Sequence, residues 1–164
     1  MTRFAVATLP NMSERGDRVV ISNRKARHDF HIIDVWECGI VLEGSEVKSI
    51  REGHANLREG YARVEDGEVW LHGMHIVPYA FSRLELDPVR RRKLLLHRNE
   101  IAELAQRTQE QGFTLIPTRI YFKEGRAKVE LALARGKRNY DKRQALAERD
   151  AKRETDRALK ERNR

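Results

Sequence analysis

The chain has 164 residues, a length that suits one domain able to bury a core without staples. Its single cysteine, Cys38, excludes an intramolecular disulfide framework and a four-cysteine zinc site, and fits a reducing cytosol. The formal charge of +8 is unevenly placed: residues 135–164 hold 12 Lys/Arg against 6 Asp/Glu, whereas the remainder holds 21 against 19. A nearly neutral body with a basic tail points to an anionic partner, most often nucleic acid. A tail that only aids solubility gives the same balance. The apolar run 4–9 is too short for a secretion signal or a bilayer span, so no membrane partner is expected.

Residues 1–17 lack periodicity and read as a mobile N-terminal arm. Val19, Val20 and Ile21 open a first strand. The basic run Arg24-Lys25-Ala26-Arg27-His28 follows as a short helix or turn, with Ser22 or Asn23 as its cap. Strand formers from Phe30 to Leu42 predict one strand with a bend or bulge near residues 37–39, where Gly39 sits. Val47 and Ile50, three apart and followed by Gly53, predict a short helix.

Residues 61–65 and 68–72 alternate around Asp66-Gly67, a pair suited to a type I′ hairpin turn because both central positions need positive φ. Pro78 and Pro88 bracket a loop. Asn99 caps a helix that Gly112 ends. Residues 113–122 form a strand that Pro117 makes an edge strand or a bulged one. After the turn Lys123-Glu124-Gly125-Arg126, the alternation of Val129, Leu131 and Leu133 marks a last strand. Gly136 closes the body.

The tail beyond has helix formers and spaced pairs (Glu148 with Lys152, Asp156 with Lys160) but little apolar surface, so it is expected to be disordered when free. About six short strands with few short helices predict a mostly β fold, a small closed or partly closed barrel over residues 18–134, carrying a basic tail at 135–164.

No arrangement carries catalysis or metal chemistry. The histidine pairs 28/31 and 72/75 have ligand-like separation without a completing cysteine, and Glu43 with Glu46 reads as a solvated helix start. No enzyme activity, cofactor or metal is expected. Basic residues are the better candidates: Arg24, Lys25 and Arg27 form one cluster, and Arg90, Arg91, Arg92 and Lys93 a second. Guanidinium donors suit phosphate. Trp36, Trp70, Tyr79 and Tyr140 suit base stacking, with a core role equally open to either tryptophan.

Several ordered stretches together resemble one family. They include Asn23-Arg24-Lys25-Ala26-Arg27-His28, Glu37-Cys38-Gly39-Ile40-Val41-Leu42 and Glu46-Val47-Lys48-Ser49-Ile50-Arg51-Glu52-Gly53. Arg92-Lys93-Leu94-Leu95-Leu96-His97 and Gly136-Lys137-Arg138-Asn139-Tyr140-Asp141-Lys142-Arg143 continue them. The chain is similar, from about residue 18 to its end, to the transfer-messenger-RNA-binding proteins, also called SsrA-binding protein or small protein B.

That resemblance implies an oligonucleotide-binding-type barrel with short flanking helices. It also implies a cytoplasmic protein, a monomer when free, that binds the transfer-RNA-like domain of transfer-messenger RNA. Delivery of that RNA, with elongation factor Tu and GTP, to stalled 70S ribosomes for trans-translation is implied too. Asn23, Glu37 and Leu95 match family positions that contact the RNA elbow. Without the resemblance, Leu95 reads as core with Leu94 and Leu96. A glutamate facing RNA makes sense as an acceptor for base amino groups.

In the tail, Gly136 is the expected hinge, and Lys137, Arg138, Lys142 and Arg143 the phosphate contacts. Tyr140 stands where some relatives have histidine and is expected to stack near the decoding centre, beside Asp141. The tail is expected to be helical in the ribosome's vacant messenger path. A ribosomal protein or general RNA chaperone is the rival reading on composition, and a protein-only adaptor the third.

Overall fold

The computed structural model describes residues 18–110 and 112–162, with side chains throughout except at residues 139–141. The arm expected at residues 1–17 lies outside the described residues. Strand β1 (Arg18–Ser22) leads into helix α1 (Arg24–Asp29), and strand β2 (Phe30–Ile40) follows at once. Asn23 is the cap, and it does more than close the helix. Its Oδ1 accepts from the Ala26 N–H at 3.2 Å, while its Nδ2 donates to the carbonyls of Leu57 (3.1 Å) and Pro117 (3.0 Å). The side chain is buried, so this one amide pins α1 to two distant segments.

Helix α2 (Gly44–Arg51) ends before Gly53, whose φ of 77° closes the turn. The minor strands β3 (Ala55–Asn56) and β6 (His75–Ile76) pair with each other. Between them lies the hairpin of β4 (Tyr61–Glu65) and β5 (Glu68–His72), turned by Asp66 (φ 50°) and Gly67 (φ 73°) as the Asp-Gly pair predicts. After the proline-bracketed loop come β7 (Arg92–Leu95) and α3 (Arg98–Arg107). Strands β8 (Phe113–Lys123) and β9 (Arg126–Gly136) complete the body, and α4 (Asn139–Arg162) follows.

The ring runs β8-β4-β5-β7-β2-β9 and closes by β9 pairing back to β8; β1 adds to the second half of β8. Closure removes the sheet edges of these six strands. Inside lie Trp36, Cys38, Leu71, Leu94, Ile120 and Leu131, among others. Burial pushes the Cys38 thiol up to about 12, which keeps it protonated and unreactive.

Several expectations are corrected. The bulge of β2 lies at Ile33, between Ile32 and Asp34, and not at residues 37–39. Gly39 marks a close approach instead: a Cβ there would stand 3.2 Å from that of Leu95. Helix α3 is capped by His97, whose N–H donates to Glu100 at 2.9 Å, so Asn99 lies inside the first turn. It stops at Thr108, whose hydroxyl donates to the Leu104 carbonyl at 2.7 Å, four residues before Gly112. Strand β8 is bulged at Pro117–Arg119 and pairs with neighbours on both sides, so it is no edge strand.

In β9 the alternating partners Glu130, Ala132 and Ala134 are buried too, because Ala26, Phe30 and Ile116 cover the second face at Ala134. Gly136, expected to close the body, pairs with Phe30, and the Lys137 N–H donates to the Asp29 carbonyl at 2.8 Å.

The tail expected to be disordered when free is a helix in this structure. Its good helix formers permit this, and its first turns rest on the body, where Lys142 reaches Asp29 at 3.6 Å and α1 touches α4. Beyond residue 146 every described side chain is exposed, as its lack of an apolar stripe requires. Among the described residues, the Glu148–Lys152 and Asp156–Lys160 spacings form no ion pair.

Glu46, read from sequence as solvated, is the buried centre of an ionic network. It accepts from Arg90 Nε at 2.9 Å and Nη2 at 2.6 Å, and from Arg92 Nε at 3.0 Å. Arg92 is itself fully buried, donating also to the carbonyls of Met74 (2.7 Å) and Pro88 (3.1 Å). Burial alone would raise the Glu46 carboxyl. The Arg90 donors, the Glu43 N–H and the Arg92 charge overcome that and hold it below the usual carboxylate range.

Two outcomes follow from this packing. Glu46→Gln should cost about 3–5 kcal/mol at neutral pH, because it strands a buried guanidinium. The folded carboxyl titrates below its unfolded value, so its contribution is complete above about pH 4.3 and is lost as pH falls through the folded value. Denaturant titrations should therefore find the gap between parent and variant narrowing below about pH 4.3; a gap constant down to pH 3 contradicts the network. Asn23→Ala should lower stability by about 1–3 kcal/mol through the lost cap and two orphaned carbonyls. If thermal unfolding is unchanged while RNA binding is lost, Asn23 is a direct contact and not a structural pin.

Candidate nucleic-acid interface

Glu37 lies near the far end of β2 and points outward, its side chain 38 % exposed. The Tyr121 hydroxyl donates to its Oε2 at 2.5 Å, and Lys123 Nζ stands 3.3 Å from Oε1 and 3.4 Å from Oε2. Partial burial would raise this carboxyl, but the Tyr121 and Lys123 donors outweigh it and hold the group below the usual range. Glu37 therefore presents an ionised, fixed hydrogen-bond acceptor near neutral pH.

Leu95 pairs with Gly39 across β7 and β2 and is 51 % exposed, while Leu94 beside it is buried. Strand alternation sends the two leucines to opposite faces. Read as core from its apolar run, Leu95 is in fact an outward apolar side chain, as the family resemblance implies. Glu37 and Leu95 open into one groove of about 710 Å³, walled by Leu42 and Val47 and by Arg126 and Lys128 of β9. An apolar floor, a fixed carboxylate and flanking cations match a nucleotide with its base, exocyclic amino group and phosphate.

The basic clusters fare differently. Arg24, Lys25 and Arg27 are exposed on α1, where Arg24, Lys25, His28, Arg58 and Arg149 line a cleft of about 480 Å³. Lys25 also pairs with Glu59 at 3.1 Å. Helix α1 adjoins the start of β2, so this cleft lies about 25 Å along the strand from Glu37. Asn23 belongs beside α1 and not with Glu37, and its side chain is spent on holding that helix.

In the Arg90–Lys93 run, expected to grip phosphate, Arg90 and Arg92 converge on the buried Glu46, whereas Arg91 and Lys93 make partly exposed ion pairs. Arg90 and Arg92 bind Glu46; Arg91 binds Glu65 at 3.0 Å and covers the Trp70 ring at 4.3 Å; Lys93 binds Glu68 at 2.6 Å. Arg92 cannot reach a ligand at all. Of the aromatic candidates, Trp36 is core, Trp70 lies under Arg91, and Tyr79 lies under Lys48 at 5.3 Å. The side chains of Tyr140 and Asp141 lie outside the described residues.

In the tail, Arg138 and Arg143 are exposed, whereas Lys137 donates to the Arg27 carbonyl at 3.3 Å and Lys142 pairs with Asp29. Gly136 is held in a strand pair and is not a free hinge here. His72 and His75 fall in different strands, and His72 contacts Glu65 at 3.2 Å. Among the described residues no group of three potential ligands is placed to hold a metal, and no helix is long and apolar enough to cross a membrane. Sequence reading missed Tyr121, Arg126 and Lys128; the turn Lys123-Glu124-Gly125-Arg126 was the available signal, since it brings two basic strand ends together.

Comparison with known proteins identifies the family. Residues 20–161 match the family model described as SmpB protein. The SsrA-binding protein of Acidothermus cellulolyticus is 59% identical over 147 residues, 89% of this chain and 92% of the relative. That of Desulfitobacterium hafniense (strain DSM 10664 / DCB-2) is 54% identical over 151 residues, 92% of this chain and 97% of the relative. A solved structure described as "tmRNA-SmpB: a journey to the center of the bacterial ribosome" superposes with a TM-score of 0.64 at 47% identity, covering 78% of this chain and 94% of that one. With the match spanning barrel, groove and tail alike, the chain belongs to the SmpB protein family.

Proposed function

We propose that this protein binds the transfer-RNA-like domain of transfer-messenger RNA through the Glu37–Leu95 groove, and brings that RNA to stalled ribosomes for trans-translation. As an SmpB protein it works by binding RNA and not by catalysis. The names of its relatives support the RNA partner, and the ribosome structure of its neighbour supports the site of action. The observation that carries the residue assignment is that Glu37 and Leu95 meet in one groove while Arg90 and Arg92 of the basic run are turned to the buried Glu46.

Glu37 accepts from a base amino group and Leu95 covers an apolar base or sugar edge. Exposed Arg24, Lys25 and Arg27 add phosphate contacts at the α1 end, and Asn23 serves them by fixing α1. The protein acts as a cytoplasmic monomer, and elongation factor Tu with GTP joins through the alanylated RNA. The tail enters the vacant messenger path of the 70S ribosome as a helix. There Arg138, Arg143, Lys137 and Lys142 meet ribosomal phosphates, and Tyr140 stacks near the decoding centre next to Asp141. Lys137 and Lys142 must first release their contacts with the body, one exposed and the other a partly buried pair at 3.6 Å, both modest in worth.

Binding to the isolated transfer-RNA-like domain tests the groove. Glu37→Ala and Leu95→Ala should each weaken it by about 1–3 kcal/mol, the worth of a good base contact, and should affect unstructured RNA of equal length less. Unaltered affinity in both variants overturns the assignment. A chain ending at Arg138, which keeps the Gly136–Phe30 pair, should bind the isolated RNA as the parent does and fail to support tagging on stalled ribosomes. Full tagging by that chain overturns the role given to the tail.

A further inference from the structure

The 15 residues 77–91 join β6 to β7 without a helix or strand. Connections of that length are uncommon in small domains unless they carry a function. This loop lines neither the Glu37–Leu95 groove nor the α1 cleft. It is nevertheless held firmly at its base. The Ile76 N–H donates to the Pro88 carbonyl and the Val77 N–H to that of His54, each at 3.0 Å. The Ser49 hydroxyl of α2 donates to the Val77 carbonyl at 2.7 Å, and buried Arg92 donates to the Pro88 carbonyl at 3.1 Å. The tip closes as a turn. Ser82 N–H donates to the Tyr79 carbonyl at 2.9 Å, and Leu84 N–H to the Ser82 hydroxyl at 3.2 Å.

This ordered tip holds apolar side chains in water. Phe81, inside the turn, is 84 % exposed and Leu84 64 %, the two highest values among the large apolar residues described. Val77 and Val89 are exposed nearer the base. Tyr79 braces Phe81 edge-on, with ring centroids 5.7 Å apart, and Lys48 stands 5.3 Å over the Tyr79 ring. Because the fold has already ordered the loop, a partner that covers Phe81 and Leu84 gains their burial at little further entropic cost.

Charge decides what kind of partner that is. Residues 77–89 hold one cation, Arg83, against Glu85 and Asp87, a net of −1 in a chain of +8. Sites that stack RNA bases set their rings among cations that follow the backbone. Here Lys48 is engaged with Tyr79, and the carboxylates outnumber the remaining cation. Asp87 is spent within the loop, where its Oδ1 accepts from the Val89 N–H at 3.0 Å, while Glu85 is exposed. An apolar knob beside an exposed carboxylate matches a protein pocket with a positive rim.

We propose that the loop tip is a protein-docking surface: Phe81 and Leu84 insert into an apolar pocket on a basic ribosomal protein, and Glu85 meets a cation on that pocket's rim. This rests on the chain acting at the ribosome. Proteins that share a surface with RNA carry clustered Lys and Arg, the sign that Glu85 complements.

The test uses the full chain with transfer-messenger RNA and stalled ribosomes. Ribosome association is measured beside affinity for the isolated transfer-RNA-like domain. Phe81→Ser and Leu84→Ser should each weaken ribosome association about tenfold, as loss of a buried apolar anchor does. Affinity for the isolated RNA should stay at the parent value, which also shows that the variants fold. Glu85→Lys should weaken association too, because it sets a cation against a positive rim. An RNA partner would hold Glu85→Lys more tightly than the parent, and that result overturns the protein assignment. Phe81→benzoylphenylalanine, a photoreactive replacement, should crosslink to a ribosomal protein; crosslinks to ribosomal RNA alone overturn the assignment as well. If the parent does not associate with stalled ribosomes, the functional reading has failed and this inference with it. If the parent associates and Phe81→Ser does so equally well, the loop inference alone is wrong.

Discussion

Strand β9 is hydrogen-bonded to β2 along one side and to β8 along the other, and the ring closes there. Because side chains alternate across a strand, fixing the register of β9 against both neighbours fixes which residues face out. Val129, Leu131 and Leu133 go to the core. Their alternating partners build an outer ladder that runs from Glu130 through Lys128 to Arg126 beside Glu37. A slip of one residue would carry the groove's charges into the barrel and its core leucines into water. The double pairing of β9 is therefore the constraint on which both the core and the groove rest.

A second sorting follows from burial. This chain carries 33 Lys/Arg, far more than any binding surface needs, and packing decides which of them remain available. Glu46 lies on α2 with its side chain buried, and a buried carboxylate requires partners. It takes Arg90 and Arg92, two of the four cations that read as a phosphate-binding cluster in sequence. Glu65 and Glu68 take Arg91 and Lys93. Among the cations left outward are the α1 cations at one end of β2, Arg126 of the hairpin at the other, and those of the tail. The two surfaces proposed to contact RNA, about 25 Å apart along one strand, suit a ligand that is itself extended and folded.

Local chemistry made much of this legible. Asp66-Gly67 announced its hairpin because few other pairs tolerate two positive φ values, and Asn23 announced a cap because its amide suits one. The alternation in β9 was visible for the same reason. Long-range pairing was not. Nothing local to Arg92 shows that Glu46 is its partner, so the basic run read as a ligand grip and Glu46 as a solvated residue. Gly39 signalled a departure from regular strand without saying which kind; a close approach by Leu95 and a bend carry the same residue. Leu95 itself, in a run of three leucines, carried no sign of its outward direction, and only the resemblance to relatives supplied it. Tyr121 escaped notice because its value lies entirely in touching Glu37.

The central claim is that RNA lies against the Glu37–Leu95 face and not against the Arg90–Lys93 run. A structure of the full chain bound to the transfer-RNA-like domain measures this directly. The account predicts a base amino nitrogen within about 3.2 Å of a Glu37 carboxylate oxygen, with Leu95 in contact with that nucleotide and Arg92 still bound to Glu46. An RNA strand seated on Arg91 and Lys93, with Glu37 open to solvent, would contradict it.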